Sequence, residues 1–166
     1  MKHVRAAILA PLCAATAACT GPGLITRMPL ASGAAPIAAA VSVPAGAETF
    51  YISGTLPAVS DPTAPKGSRQ SYGDTASQVA SVLAKTKATL AVLGLTFADV
   101  VQAHVFLAGD PARNGGIDFE GLNTAWSKEF GTPGQPNKPA RSTVKVAGLV
   151  APGALVEIEF VAARVK

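Results

Sequence analysis

Cysteine is almost absent from this chain. Two of its 166 residues are cysteine, Cys13 and Cys19, and both fall within the first nineteen positions. Everything downstream therefore holds neither a disulfide nor a thiol, which excludes cysteine nucleophiles and thiolate metal sites there. Histidine is as scarce. His104 has no Cys, Asp or His at ligand spacing, and its one companion is His3, so no metal site is expected. Charged residues make up 14% and aromatics 5%, too few for a basic stripe interleaved with rings. The net charge of +4 falls to +2 once Lys2 and Arg5 are set aside, so nucleic acid is not an expected partner. Gly115-Gly116 and Gly131-Thr132-Pro133-Gly134 lack the Lys-Ser/Thr of a phosphate loop. There is no internal repeat.

What is present is apolar and small. Hydrophobic residues reach 49%, with 16 glycines and 13 prolines, over a length that suits one domain plus an extension. Met1-Lys2-His3-Val4-Arg5 is a positive start, and residues 6–18 form an Ala-rich apolar run too short to span a bilayer. The run ends in Thr16-Ala17-Ala18-Cys19, which resembles a bacterial lipoprotein signal with Cys19 as the lipidated residue. Thr16 stands where Leu is usual, so cleavage by an ordinary signal peptidase is the competing reading. Both imply export to the periplasm, with membrane contact only through the lipid anchor. A misplaced start ahead of a cytosolic chain is the third reading. The expected division is a signal over 1–18, a tether over 19–46, and a folded domain over 47–166.

Periodicity sets out the domain. Residues 48–54 are aromatic and β-branched and predict a strand, with a further strand near residues 38–43. Proline and glycine make residues 61–73 a loop. Asp74 caps a helix ending at Gly94, with Val79, Leu83, Thr86, Leu90 and Leu93 as its buried stripe. Thr96-Phe97-Ala98-Asp99 reads as a capping box. Residues 100–107 predict a strand apolar on both faces. Asp118 caps a second helix, with Phe119, Leu122, Trp126 and Phe130 facing inward. The order strand, helix, strand, helix, strand, strand predicts an α+β domain with helices on one face of the sheet.

The chemistry concentrates in residues 139–159. Thr143-Val144-Lys145-Val146 and residues 155–160 alternate polar and apolar about a turn at Pro152-Gly153. Glu157 and Glu159 fall on one side of their strand, and Val156, Ile158 and Phe160 on the other. Arg141 is expected in the loop just before the first of these strands. A guanidinium and two carboxylates at adjacent strand ends could hold an anion and manage a proton or a water. The alternative is that all three face solvent.

Pro139-Ala140-Arg141-Ser142, Val144, Ala147-Gly148-Leu149 and Val156-Glu157-Ile158-Glu159 together resemble the C-terminal signature of the RidA (YjgF) family of enamine/imine deaminases. The likeness runs over about residues 50–165. It implies a chorismate-mutase-like fold, a mixed sheet with two helices on one face, and a homotrimer with pockets between subunits. It assigns Arg141 to the carboxylate of a small imine or enamine substrate, and Glu157 to the attacking water. Ser53 and Asn123 match two further polar pocket positions, and Glu159 reads as structural. No cofactor is implied. The sequence departs from the family at three places. Ala35-Pro36-Ile37-Ala38-Ala39-Ala40 lacks the family's pocket Tyr, Lys138 stands where an aromatic often precedes Pro-Ala-Arg, and the loop over 108–117 is longer than usual. The expected activity is hydrolysis of an imino acid to a keto acid and ammonia. A non-catalytic periplasmic module binding a stable carboxylate is the alternative.

Overall fold

In the computed structural model, residues 23–31, 33 and 35–165 are described. The proposed signal and Cys19 lie outside them. Helix formation follows the capping signals closely. Asp74 Oδ1 accepts the Ser77 N–H at 2.8 Å and opens the long helix α2, Thr75–Val92, after a single-turn helix α1 at Arg69–Tyr72. The α1 turn falls inside the expected 61–73 loop. Gly94 ends α2 with a φ of +68°, a conformation in which a side chain would be strained. Val79, Val82, Leu83, Thr86 and Leu90 are buried, but Leu93 is 39% exposed because the helix stops before it. Thr96 and Asp99 close both bonds of the capping box. Asp118 Oδ1 accepts the Gly121 N–H and opens α3, Phe119–Trp126. Leu122, Trp126 and Phe130 are buried as expected, whereas Phe119, at the first helical position, is 48% exposed.

Six strands form one mixed sheet in the order β1-β2-β5-β4-β6-β3. They are β1 Thr26–Pro29, β2 Ala38–Ser42, β3 Glu48–Thr55, β4 Val100–Ala108, β5 Ala140–Val146 and β6 Val156–Arg164. The pairs β2–β5 and β4–β5 run parallel and the rest antiparallel. Residues 19–46 are therefore not only a tether. They supply β1 and β2, and β2 joins the sheet through a strand about a hundred residues away, a pairing invisible to local pattern.

The helices cover one face. Ala103, Val105 and Leu107 of β4 and Val156, Ile158 and Phe160 of β6 pack there with α2 and α3. Trp126 stacks on Phe130 at 4.3 Å between centroids, and both lie beside Phe160. Burying such a ring contributes about 1.5–3 kcal/mol. The opposite face is open and mixed. On β4 it presents exposed Gln102 with half-buried His104 and Phe106, so this strand is not apolar on both sides. A buried amide fixes the start of β6. Gln78 Nε2 donates to the Gly73 and Gly153 carbonyls, and its Oε1 accepts the Leu155 N–H at 2.7 Å. Gly153 fits that turn because its φ is +81° and a Cβ would collide with the Ser68 carbonyl.

Candidate functional site

Arg141 lies in β5, not in a loop ahead of it. Its carbon partner across the parallel ladder is Ala103, so its side chain shares the helix-covered face. The guanidinium settles on α3. Nη2 donates to Asn123 Oδ1 at 2.8 Å, and the guanidinium carbon sits 4.8 Å from the Trp126 ring centroid and 5.8 Å from that of Phe119. Contacts of this kind contribute about 0.5–2 kcal/mol depending on burial. Phe119, Asn123 and Trp126 reach one cation because spacings of four and three residues lie on one side of a helix. Nη1 is buried and has no hydrogen-bond partner. Burial pushes the Arg141 pKa down to about 10. No carboxylate pairs with it among the described residues.

Glu157 is on the other side of the sheet. It stands opposite Phe106 on β4, and its carboxylate lies across Gly54 of β3. Ser53 is exposed beside it, at the bulge where the β3–β6 register shifts between Ile52 and Thr55. Strand β4 runs between β5 and β6, so Arg141 and Glu157 are not at adjacent strand ends. One chain thus sorts the four sequence-derived residues into two pairs: Arg141 with Asn123 under α3, and Ser53 with Glu157 on the open face.

Sequence reasoning missed the setting of each pair. Trp126 and Phe119 were legible as helix-stripe residues but not as walls around a cation. His104 does have a partner: its Nδ1 is 3.6 Å from Glu159 Oε2 across the strands, and its Nε2 is 3.0 Å from Gln102 Nε2. With Tyr51 and Ser53 these residues line a hollow of about 360 Å³. Glu159, read as structural, is 47% exposed on that hollow. A search by sequence spacing could not find this pair, because the residues are 55 positions apart in number and meet only through β4–β6 pairing.

The three departures also have places. Lys138 Nζ donates to the Gly33 and Ala35 carbonyls, and Trp126 Nε1 to that of Pro36 at 2.9 Å. These bonds pin the segment that lacks a Tyr, in which Ile37 packs on the core. The 108–117 loop is tied at three points: buried Asp110 accepts two bonds from Arg69, Arg113 meets Asp118 at 2.9 Å, and Lys145 Nζ donates to the Gly115 carbonyl.

Sheet order and helix placement define an α+β domain of the chorismate-mutase-like kind. The family model described as endoribonuclease L-PSP matches residues 32–164, and the chain belongs to this family, the YjgF/RidA family. The match begins ahead of residue 47, in keeping with β2 being part of the domain. The chain is 37% identical over 129 residues to protein DfrA of Myxococcus xanthus, covering 76% of this chain and 84% of that one. Among solved structures it is similar to Escherichia coli TdcF with bound serine, at 29% identity and a TM-score of 0.53, covering 78% of this chain and 93% of that one. A Mycobacterium tuberculosis member of the YjgF/YER057c/UK114 family gives 25% identity and a TM-score of 0.52, covering 85% and 100%.

Proposed function

We propose that this protein hydrolyses a small imino or enamino acid to a keto acid and ammonia, with Arg141 gripping the carboxylate and Glu157 managing the water. The observation that carries this reading is Arg141 itself. A cation wrapped by two rings, with no carboxylate partner and one nitrogen without a hydrogen bond among the described residues, keeps donor capacity for an incoming anion. Asn123 holds one edge of the guanidinium and leaves the remainder for the ligand. Family membership and a serine-bound relative, serine being a small carboxylate, point the same way.

The chemistry is undemanding. Water adds to the C=N carbon, giving a carbinolamine. Glu157 takes a proton from the water as its oxygen adds and gives it to the imine nitrogen. It then relays the carbinolamine hydroxyl proton to the amine, so that the C–N bond breaks, ammonia leaves and C=O forms. Orientation and one placed base are enough for such a substrate. Because Arg141 and Glu157 lie on opposite faces of one sheet, the reading includes self-association. In a homotrimer, Arg141 and Asn123 of one copy would face Glu157 and Ser53 of the next across a shared pocket. It also includes export to the periplasm, with Cys19 lipidated or lying near the cut. There the substrate must come from a source other than cytosolic pyridoxal enzymes.

The test is ammonia release from several freshly generated imino acids by purified mature protein, compared with the uncatalysed rate. Catalysis above that rate supports the reading, and a rate equal to it refutes it. A second reading, a binding module for a stable carboxylate, is favoured by the absence of Tyr from residues 35–40. Calorimetric binding of a stable keto acid without turnover would select it. Intact mass of the native protein tests export, and a chain retaining residues 1–18 would exclude it. Sedimentation at micromolar concentration tests the trimer, and a monomeric mass would exclude it.

A further inference from the structure

We infer that Gly54 is a positioning residue for Glu157, its missing side chain being the seat on which the carboxylate rests. The inference builds on the hydrolytic reading and names what sets its base in place. A Cβ built on Gly54 would overlap Glu157 Oε1 and press on Cδ at 3.0 Å and Cγ at 3.2 Å. The three nearest atoms to that position all belong to Glu157.

Backbone freedom does not explain the glycine. Among the described residues eight glycines have a positive φ, and Gly54 is not one of them, so an alanine there is conformationally ordinary. What is specific is the bulge. The β3–β6 register runs Ile52 to Phe160 and then Thr55 to Ile158, which leaves Ser53 and Gly54 together opposite Glu159. A bulge bends its strand and re-aims side chains. Here it brings bare backbone under the Glu157 carboxylate while Ser53 stays exposed next to it. Seated on β3, Glu157 gives up rotamer freedom before any substrate arrives, and a base held in one place needs no reorganisation at the moment of reaction.

The seat makes a sharp forecast. Glu157 meets the new methyl with the far end of a flexible side chain, so Gly54→Ala should fold and should expel the carboxylate instead of breaking the sheet. Steady-state kinetics of Gly54→Ala, Glu157→Ala and the double variant are the test, with the crystal structure of Gly54→Ala alongside. The expected result is a kcat at least tenfold lower in Gly54→Ala with KM within twofold, because Arg141 still holds the substrate. The double variant should match Glu157→Ala within twofold, since no carboxylate is left to displace. Gly54→Ala with parental kcat, beside an impaired Glu157→Ala, would overturn the inference. So would an equal loss from Gly54→Ala in both backgrounds, which would assign Gly54 a backbone role. If Glu157→Ala keeps full activity, the hydrolytic reading fails, and the crystal structure alone decides: an unmoved Glu157 overturns the seat, a displaced one upholds it. Should Gly54→Ala not fold, the double variant must fold if the collision is the cause, and its failure would also overturn the inference.

Discussion

The two faces of this sheet solve opposite problems with residues that alternate along the same strands. Under α3, Arg141 is half-buried against Trp126 and Phe119, held by one hydrogen bond to Asn123, and desolvated enough to lower its pKa. On the open face, Glu157, Glu159, His104 and Ser53 keep contact with solvent, and their partners come from neighbouring strands. The first setting orients a cation by packing, and the second orients carboxylates by backbone shape. Packing is rigid because a ring face and a helix surface leave few rotamers open. Backbone seating depends on a single glycine. The difference teaches that an apolar wall can orient and desolvate a cation, whereas carboxylates on an open sheet face are placed by backbone shape and keep their solvent.

The comparison can be broken most sharply at the base. Glu157→Gln keeps shape and volume but cannot take a proton, so turnover should fall on the order of 10²–10⁴-fold while folding and ligand affinity stay near the parent. Stopped-flow or ammonia assays paired with calorimetry read both quantities. Equal loss of binding would show that the open face grips as well as activates.

Next comes the cation. Arg141→Lys preserves charge but loses the planar fork and its stacking on Trp126. Charge-assisted hydrogen bonds contribute about 1.5–3 kcal/mol each, so carboxylate affinity should fall at least roughly tenfold. Because Arg141 packs against a ring, Arg141→Ala should also lower stability by about 0.5–2 kcal/mol in urea denaturation. A solvated surface Arg would give neither effect. The same burial sets opposite pH trends. Affinity for a carboxylate should weaken as pH rises through about 10, where the cation is lost. The folded pKa lies below that of the unfolded guanidinium, so at the alkaline pH between the two the unfolded chain binds more protons. The contribution of Arg141 to stability therefore rises with pH across that window.

A smaller effect separates orientation from packing within the covered face. Trp126→Phe keeps a ring beside Arg141 and removes the bond to the Pro36 carbonyl. Stability should drop by about 1 kcal/mol, with ligand affinity within about twofold. A large affinity loss would mean that the pinned 35–37 segment forms part of the grip.

A stability effect of similar size, with no expected change in ligand affinity, lies away from both faces. Asp74→Ala removes the cap of α2 and should cost about 1 kcal/mol at neutral pH. The backbone hydrogen bond from Ser77 lowers the Asp74 pKa, so the contribution is present above the ordinary carboxylate value and is lost as pH falls through the folded one. Thermal melts of both proteins down an acid series should therefore converge.

Much of this could be read along the chain. Asp74, Gly94, Thr96-Asp99 and Asp118 placed the helices, because caps act within three or four residues. Pleat alternation placed Glu157 and Glu159 opposite Val156, Ile158 and Phe160, and the signature around Arg141 pointed to the family that the comparisons bear out. Local pattern did not reveal β1, since a four-residue edge strand takes its definition from the strand beside it. It also put Arg141 in a loop, because nothing nearby shows that Ala140 pairs with both Gln102 and Ala38. Caps and alternation were thus determined by the sequence, being contacts between near neighbours. Strand order and register were decided by tertiary structure, which inserted β4 between β5 and β6 and paired Arg141 with Ala103 and Glu157 with Phe106, positions on opposite faces of β4. It also brought His104 to Glu159 and Gly54 under Glu157, contacts between distant segments that exist only once the whole sheet has formed.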